Sequence, residues 1–120
     1  MIKTLAPLAL AFSCLLSHVT GVMAQNAPPN VVKELAPNGK LRAAINFGNG
    51  VLAQKGPDGG PQGVTADLSR ELAKRLGVEV SFVTFEAAGK VFEAAKAGAW
   101  DVGFVAIEPV RAADIQFTAP

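Results

Sequence analysis

The run TADLSRELAKRLGVEVSFV, residues 65–83, decides the architecture. Its first part sets Leu68, Leu72 and Leu76 four residues apart with Arg70, Glu71, Lys74 and Arg75 between them, the spacing of an amphipathic helix. Thr65 is suited to cap the start of that helix, and Asp67 sits in its positive first turn. Glu71 and Arg75 form a supportive i,i+4 pair, and Gly77 can adopt the left-handed conformation that ends the helix. Directly beyond it, Val78 to Val83 mixes β-branched and aromatic residues and predicts a strand. A helix feeding a strand through so short a link is half of a βαβ unit.

Working outward, Leu41 to Phe47 is an apolar-dominated run bounded by turn residues, the pattern of a buried first strand. Gly48 to Gly63 contains six glycines and two prolines and is expected to be one long loop. Downstream, a second helix is predicted from about Ala87 to Ala97, with Val91, Ala94 and Ala95 on one face and Gly98 stopping it. Asp101 to Ile107 reads as a third strand, Pro109 opens a short helical turn, and Ile115 to Phe117 is a candidate fourth strand. Residues 25–40 contain Pro28, Pro29, Pro37 and Asn38-Gly39 and read as a lead-in with one helical turn at Val31 to Leu35. The alternation predicts an α/β fold, an open parallel sheet with right-handed crossovers and flanking helices. Ligands of such sheets bind beyond the carboxyl ends of the strands, here Phe47 to Gly50, Thr84 to Ala87 and Ala106 to Arg111.

The first 24 residues stand apart. Lys3 precedes an apolar run from Leu8 to Leu16, and Val22-Met23-Ala24 offers small or β-branched residues at the positions a signal peptidase reads. This predicts a secretory signal peptide cleaved before Gln25; the run is too short to span a membrane. A lipoprotein signal at Ala11 to Cys14 fits poorly because Phe12 is bulky and a long apolar stretch follows the cysteine. Cleavage leaves 96 residues with ten basic and ten acidic side chains, removing the sole cysteine, Cys14, and the sole histidine, His18. With no tyrosine anywhere, the remaining chain cannot build a Ser-His-Asp or Cys-His site, a usual zinc site or a disulfide. A net charge of zero offers no basic patch for nucleic acid.

Several residues at the predicted strand ends are chemically capable. Gly48 and Gly50, with Ala53, match dinucleotide-fingerprint spacing, but no helix can begin within those glycines, so a plain loop is the better reading. Arg111 lies just past the third strand, where its fork can hold a carboxylate, or it can pair with Glu108 or Asp114 on the surface. Glu86 and Glu108 both follow strands and could converge as an acid/base pair, although Lys90 stands at i+4 to Glu86. Phe47 and Phe85 are placed to wall a pocket or to pack in the core. Trp100 is expected to cover the sheet edge.

Five segments in order, Gly39 to Arg42, Gly63 to Leu68, Ala73 to Val78, Ala97 to Val102 and Glu108 to Pro120, resemble the family 3 extracellular solute-binding proteins. These are periplasmic receptors of ABC importers for polar amino acids and related solutes. The resemblance implies a two-lobed α/β receptor that holds its solute between lobes, needs no metal or cofactor, and partners a membrane permease. It implies that Arg111 pairs with the ligand's carboxylate, and that Asn46, Phe47 and Asn49 after the first strand contribute to the site. It places Phe85 or Ala87 after the second strand, where the family has an aromatic, and Phe104 and Ala106 where the family commonly has hydroxyls, so backbone groups would serve there. Family members are roughly twice as long, so residues 41–120 are expected to form most of one lobe. The same scaffold also serves periplasmic dehydratases of prephenate-like acids, for which Glu86 or Glu108 would be the acid, and sensor modules.

Overall fold

The computed structural model describes residues 27–120, so the signal-peptide reading of residues 1–24 and the cleavage before Gln25 lie outside the described residues. The elements run α1 (Pro29–Leu35), β1 (Lys40–Asn46), β2 (Gln54–Lys55), β3 (Pro61–Gln62), α2 (Val64–Leu76), β4 (Glu79–Phe85), α3 (Ala88–Lys96), β5 (Val102–Gly103) and α4 (Pro109–Ala112). The main sheet has the order β4-β1-β5 and is parallel throughout. β1 and β4 pair along their full lengths, from Lys40 opposite Glu79 to Asn46 opposite Phe85. β1 leads to β4 on one side, and β4 leads across to β5 on the other. Right-handed crossovers in opposite directions place α2 and α3 on opposite faces of the sheet.

β1 is the centre because its side chains are buried on both faces: Leu41, Ala43, Ala44 and Ile45 are all shielded from water. Leu41 packs with Ala73 and Leu76 of α2, and Val31, Val32 and Leu35 of α1 close over that cluster. The lead-in helix is therefore a lid on the core, starting two residues earlier than the sequence predicts. Ile45 packs with Ala53 and Ala66, flanked by Phe47 and Phe82. On α3, Val91 is the fully buried anchor.

The buried face of α2 differs from the leucine stripe. Its buried residues are Thr65, Ala66, Ser69, Ala73 and Leu76, whereas Leu68 is half exposed. Small residues let the helix approach the sheet closely, and the Ser69 hydroxyl is satisfied internally by donating to the Thr65 carbonyl at 2.7 Å. Thr65 does not cap the helix. Gly63 takes that place, and Thr65 donates both its N–H and its hydroxyl to the Leu52 carbonyl, at 3.2 and 3.3 Å, tying the helix start to the preceding loop. The predicted Glu71 to Arg75 pair is present at 3.0 Å, and Gly77 ends the helix with φ of 70°.

Three further expectations are corrected. The Gly/Pro-rich stretch is not a bare loop: Gln54–Lys55 and Pro61–Gln62 form a small antiparallel hairpin, closed by Asp58, whose carboxylate accepts from the Gly60 N–H. The third strand shrinks to Val102–Gly103, because only those residues find a partner, Ala43 and Ala44 of β1, and beyond them the chain leaves the sheet edge. Ile115 to Phe117 forms no strand among the described residues. Trp100 does cover that edge: its indole N–H donates to the Val91 carbonyl at 2.8 Å, and its ring lies against Gly103.

Candidate ligand-binding site

An open groove of about 740 Å³ lies at the carboxyl ends of β1 and β5, the point where the two crossovers diverge. One wall is Asn46 and Asn49 with Leu52, and the other is the chain from Trp100 through Glu108 with Arg111 and the terminal run Ile115 to Pro120. Each asparagine is held by a local turn: the Asn46 side-chain oxygen accepts from the Gly48 N–H at 2.9 Å, and that of Asn49 from the Val51 N–H at 3.2 Å. Their amide nitrogens make no hydrogen bond within the described residues and remain available at the groove.

Gly48 fixes where this wall sits. A Cβ there would run into the Glu86 carbonyl and crowd the Asn46 side chain, while the Phe47 N–H donates to the Phe85 carbonyl at 2.8 Å. The loops after β1 and β4 thus cross in contact, which only glycine permits. A Gly48→Ala substitution is expected to push these loops apart and cost about 2 kcal/mol, by the usual scale of overpacking. Thermal unfolding followed by circular dichroism checks this.

The opposite wall hangs from a partly buried ion pair. Arg42 of β1 grips Asp101 with Nη2 to Oδ1 at 2.6 Å and Nε to Oδ2 at 3.1 Å, and its Nη1 donates to the Gly98 carbonyl at 2.7 Å. The Asp101 Oδ2 also accepts the Arg42 backbone N–H at 2.8 Å, and the Asp101 N–H returns a bond to the Arg42 carbonyl at 2.8 Å. The Asp101 side chain is only 7% exposed. These bonds stabilise the charged guanidinium and raise its pKa further. They also set the register from which Phe104, Ala106 and Arg111 enter the groove.

Arg111 projects from α4 with 15% of its side chain exposed. Its Nη1 donates to the Ala106 carbonyl at 3.0 Å, which folds the guanidinium back toward the strand-end segment, and its Nη2 lies 3.5 Å from Glu108. Of its two sequence-expected surface partners, Asp114 is instead engaged by Lys96 at 3.3 Å. The structure therefore brings Asn46, Asn49, Phe104, Ala106 and Arg111 together around one groove.

Phe47 and Phe85 are not part of it. Phe47 packs on the Ile45 cluster with the Lys55 ammonium 5.2 Å above its ring, and Phe85, half-buried at the end of β4, stays outside the lining. The Glu86 and Glu108 pair does not form either: Glu108 lines the groove, but Glu86 is bound by Lys55 at 2.9 Å and lies outside it. The expected partner of Glu86, Lys90, turns to Glu93 at 2.8 Å. Leu52, Ile115 and Phe117 line the groove without having been singled out from sequence; an apolar residue near a turn-rich segment carries no chemical signature. Among the described residues no group of three or more His, Cys, Asp or Glu is placed to hold a metal ion, and no helix is long and apolar enough to cross a membrane.

The model of the bacterial extracellular solute-binding proteins, family 3, matches residues 51–120, more than half of the chain. The chain belongs to this family. Solved structures of similar architecture agree with that assignment. An ancestral cationic amino acid solute-binding protein, AncCDT-1, superposes with a TM-score of 0.65 at 29% identity, over 75% of this chain and 40% of that one. An ancestral cyclohexadienyl dehydratase, AncCDT-3, gives 0.59 at 28% identity, over 68% and 34%. Domain 1 from TmArgBP of T. maritima, in its arginine-bound form, gives 0.64 at 22% identity, over 74% of this chain and 70% of that domain, a likeness of fold alone. No curated protein sequence matches the chain. The chain spans 40% and 34% of the lengths of the two ancestral proteins. As a family 3 solute-binding chain it presents a parallel sheet with flanking helices, and the groove lies where open sheets of this kind receive ligands.

Proposed function

We propose that this chain is the lobe of a periplasmic receptor that holds a small polar amino acid or related organic acid and hands it to an ABC transporter permease. The observation that carries this reading is Arg111, a well-covered guanidinium anchored to the Ala106 carbonyl at the rim of a strand-end groove that is otherwise largely apolar. Such an arrangement suits a single carboxylate: a fixed fork binds it in a defined orientation, and the apolar surroundings strengthen the pair by excluding water. The neighbouring Asn46 and Asn49 amides supply further donors. The name of the 29% identical ancestral protein supports an amino acid as the solute. Export rests on the signal-peptide pattern of residues 1–24. Binding of this kind calls for no metal and no cofactor.

A second reading, a dehydratase, draws on the 28% identical ancestral cyclohexadienyl dehydratase. It is weaker because only one of the two candidate acids, Glu108, reaches the groove. Trp100, the sole tryptophan, lines the groove and makes a direct test simple. Titrating the full-length protein with a panel of amino acids and organic acids is expected to produce a saturable change in Trp100 fluorescence with no conversion of ligand. Turnover of a prephenate-like acid, abolished by Glu108→Gln, would establish the enzyme instead.

A further inference from the structure

Few charges face the groove. Among its lining residues only Asp101, Glu108 and Arg111 carry one. Asp101 is gripped on both oxygens by Arg42 and is almost fully covered, so its charge is spent within the fold. Glu108 is in a different situation. It stands at the start of α4 yet its side chain makes no capping bond there, it is about half exposed, and among the described residues the only cation paired with its carboxylate is Arg111 at 3.5 Å. Arg111 in turn donates one hydrogen bond, to Ala106, from a group with five donors. The groove thus presents a fixed cation and an adjacent, underused carboxylate acceptor, with zero net charge between them.

We infer that Glu108 determines the charge class of the ligand: Arg111 takes a carboxylate while Glu108 accepts the ammonium or guanidinium of the same molecule. This inference rests on the receptor reading and narrows it to zwitterionic or cationic amino acids. A ligand with one carboxylate and one cationic group satisfies both side chains and adds no uncompensated charge. A dicarboxylate leaves its second anion facing Glu108, and like-charge repulsion opposes it even at this half-exposed carboxylate. The preference comes from one repulsive contact as much as from the attractive one.

Isothermal titration of the full-length protein with L-arginine, L-glutamine and L-glutamate tests this, with wild type compared to Glu108→Gln and Glu108→Asp. Wild type is expected to bind L-glutamate at least tenfold more weakly than L-glutamine. Glu108→Gln should weaken L-arginine and strengthen L-glutamate, narrowing the gap between them about tenfold, while Glu108→Asp keeps the wild-type order. Glu108 is half exposed and makes no hydrogen bond, so both variants are expected to melt like wild type. Binding with an unchanged ratio in Glu108→Gln overturns the role of Glu108 and leaves the receptor reading standing. A folded wild-type protein that binds none of the three overturns both.

Discussion

Replacing Arg111 with alanine is expected to weaken solute binding about 100-fold without unfolding the protein. The size follows from losing a charge-assisted fork to a carboxylate in a partly desolvated site, which typically costs about 2–3 kcal/mol. The fold should survive because the side chain makes one hydrogen bond, to Ala106, and packs at the groove rather than in either core cluster. Arg111→Lys separates charge from geometry: it keeps the cation but loses the two-pronged approach, and should recover only part of the affinity. Titration by Trp100 fluorescence, with a melting curve for each variant, checks both. Unchanged affinity in Arg111→Ala removes this residue from the binding site.

The second large effect concerns stability. Asp101→Ala is expected to lower the melting temperature by about 10 °C. Asp101 accepts three hydrogen bonds from Arg42, one of them from the backbone N–H of the central strand. Removing the carboxylate leaves that N–H without its acceptor and the guanidinium with only the Gly98 carbonyl, and an unsatisfied donor shielded from water costs about 1–3 kcal/mol. In a domain of this size each kcal/mol moves the midpoint by about 4–8 °C. Asp101→Asn retains an acceptor for the backbone N–H and should fall about halfway. Melting followed by far-ultraviolet circular dichroism distinguishes the two; equal midpoints for wild type and Asp101→Ala would show that the pair adds nothing to the fold.

Much of the architecture was legible because local signals and tertiary packing agree. The run from Thr65 to Val83 yields a helix and strand within two residues of those observed, because helical period, a C-terminal glycine and β-branched residues all point the same way. The buried face of that helix was misread for a physical reason: hydrophobicity marks leucines, but close approach to a sheet selects small residues, so Ala66, Ser69 and Ala73 go inside while Leu68 stays half exposed. The hairpin at Gln54 and Gln62 was invisible because its strands are two residues long and its composition is that of turns. In the groove, Arg111 stood out by chemistry and strand-end position, whereas the asparagines came only from the family resemblance. Phe47 and Phe85 shared that position, but Phe47 packs on the Ile45 cluster and Phe85 sits on β4, the edge away from β5, so neither reaches the groove. The Arg42 and Asp101 pair joins residues 59 apart, and nothing local announces it, although an arginine inside an apolar strand must find some partner.

That same pair has a consequence for how the chain folds. β1, α2 and β4 make a nearly self-sufficient unit, with full-length strand pairing and both core clusters largely drawn from it. β5 contributes only two paired residues, and its place beside β1 becomes useful only after β4 has paired on the other edge and α3 has carried the chain back from Phe85 to Asp101. A docking step that gains so little strand pairing belongs late on the folding pathway, after the rate-limiting barrier. Loss of Asp101 should therefore appear as faster unfolding with the refolding rate almost unchanged. The groove wall is then the last part of the lobe to assemble and the first to come away, so under the proposed receptor role a solute bound there would act as the latch that keeps it in place.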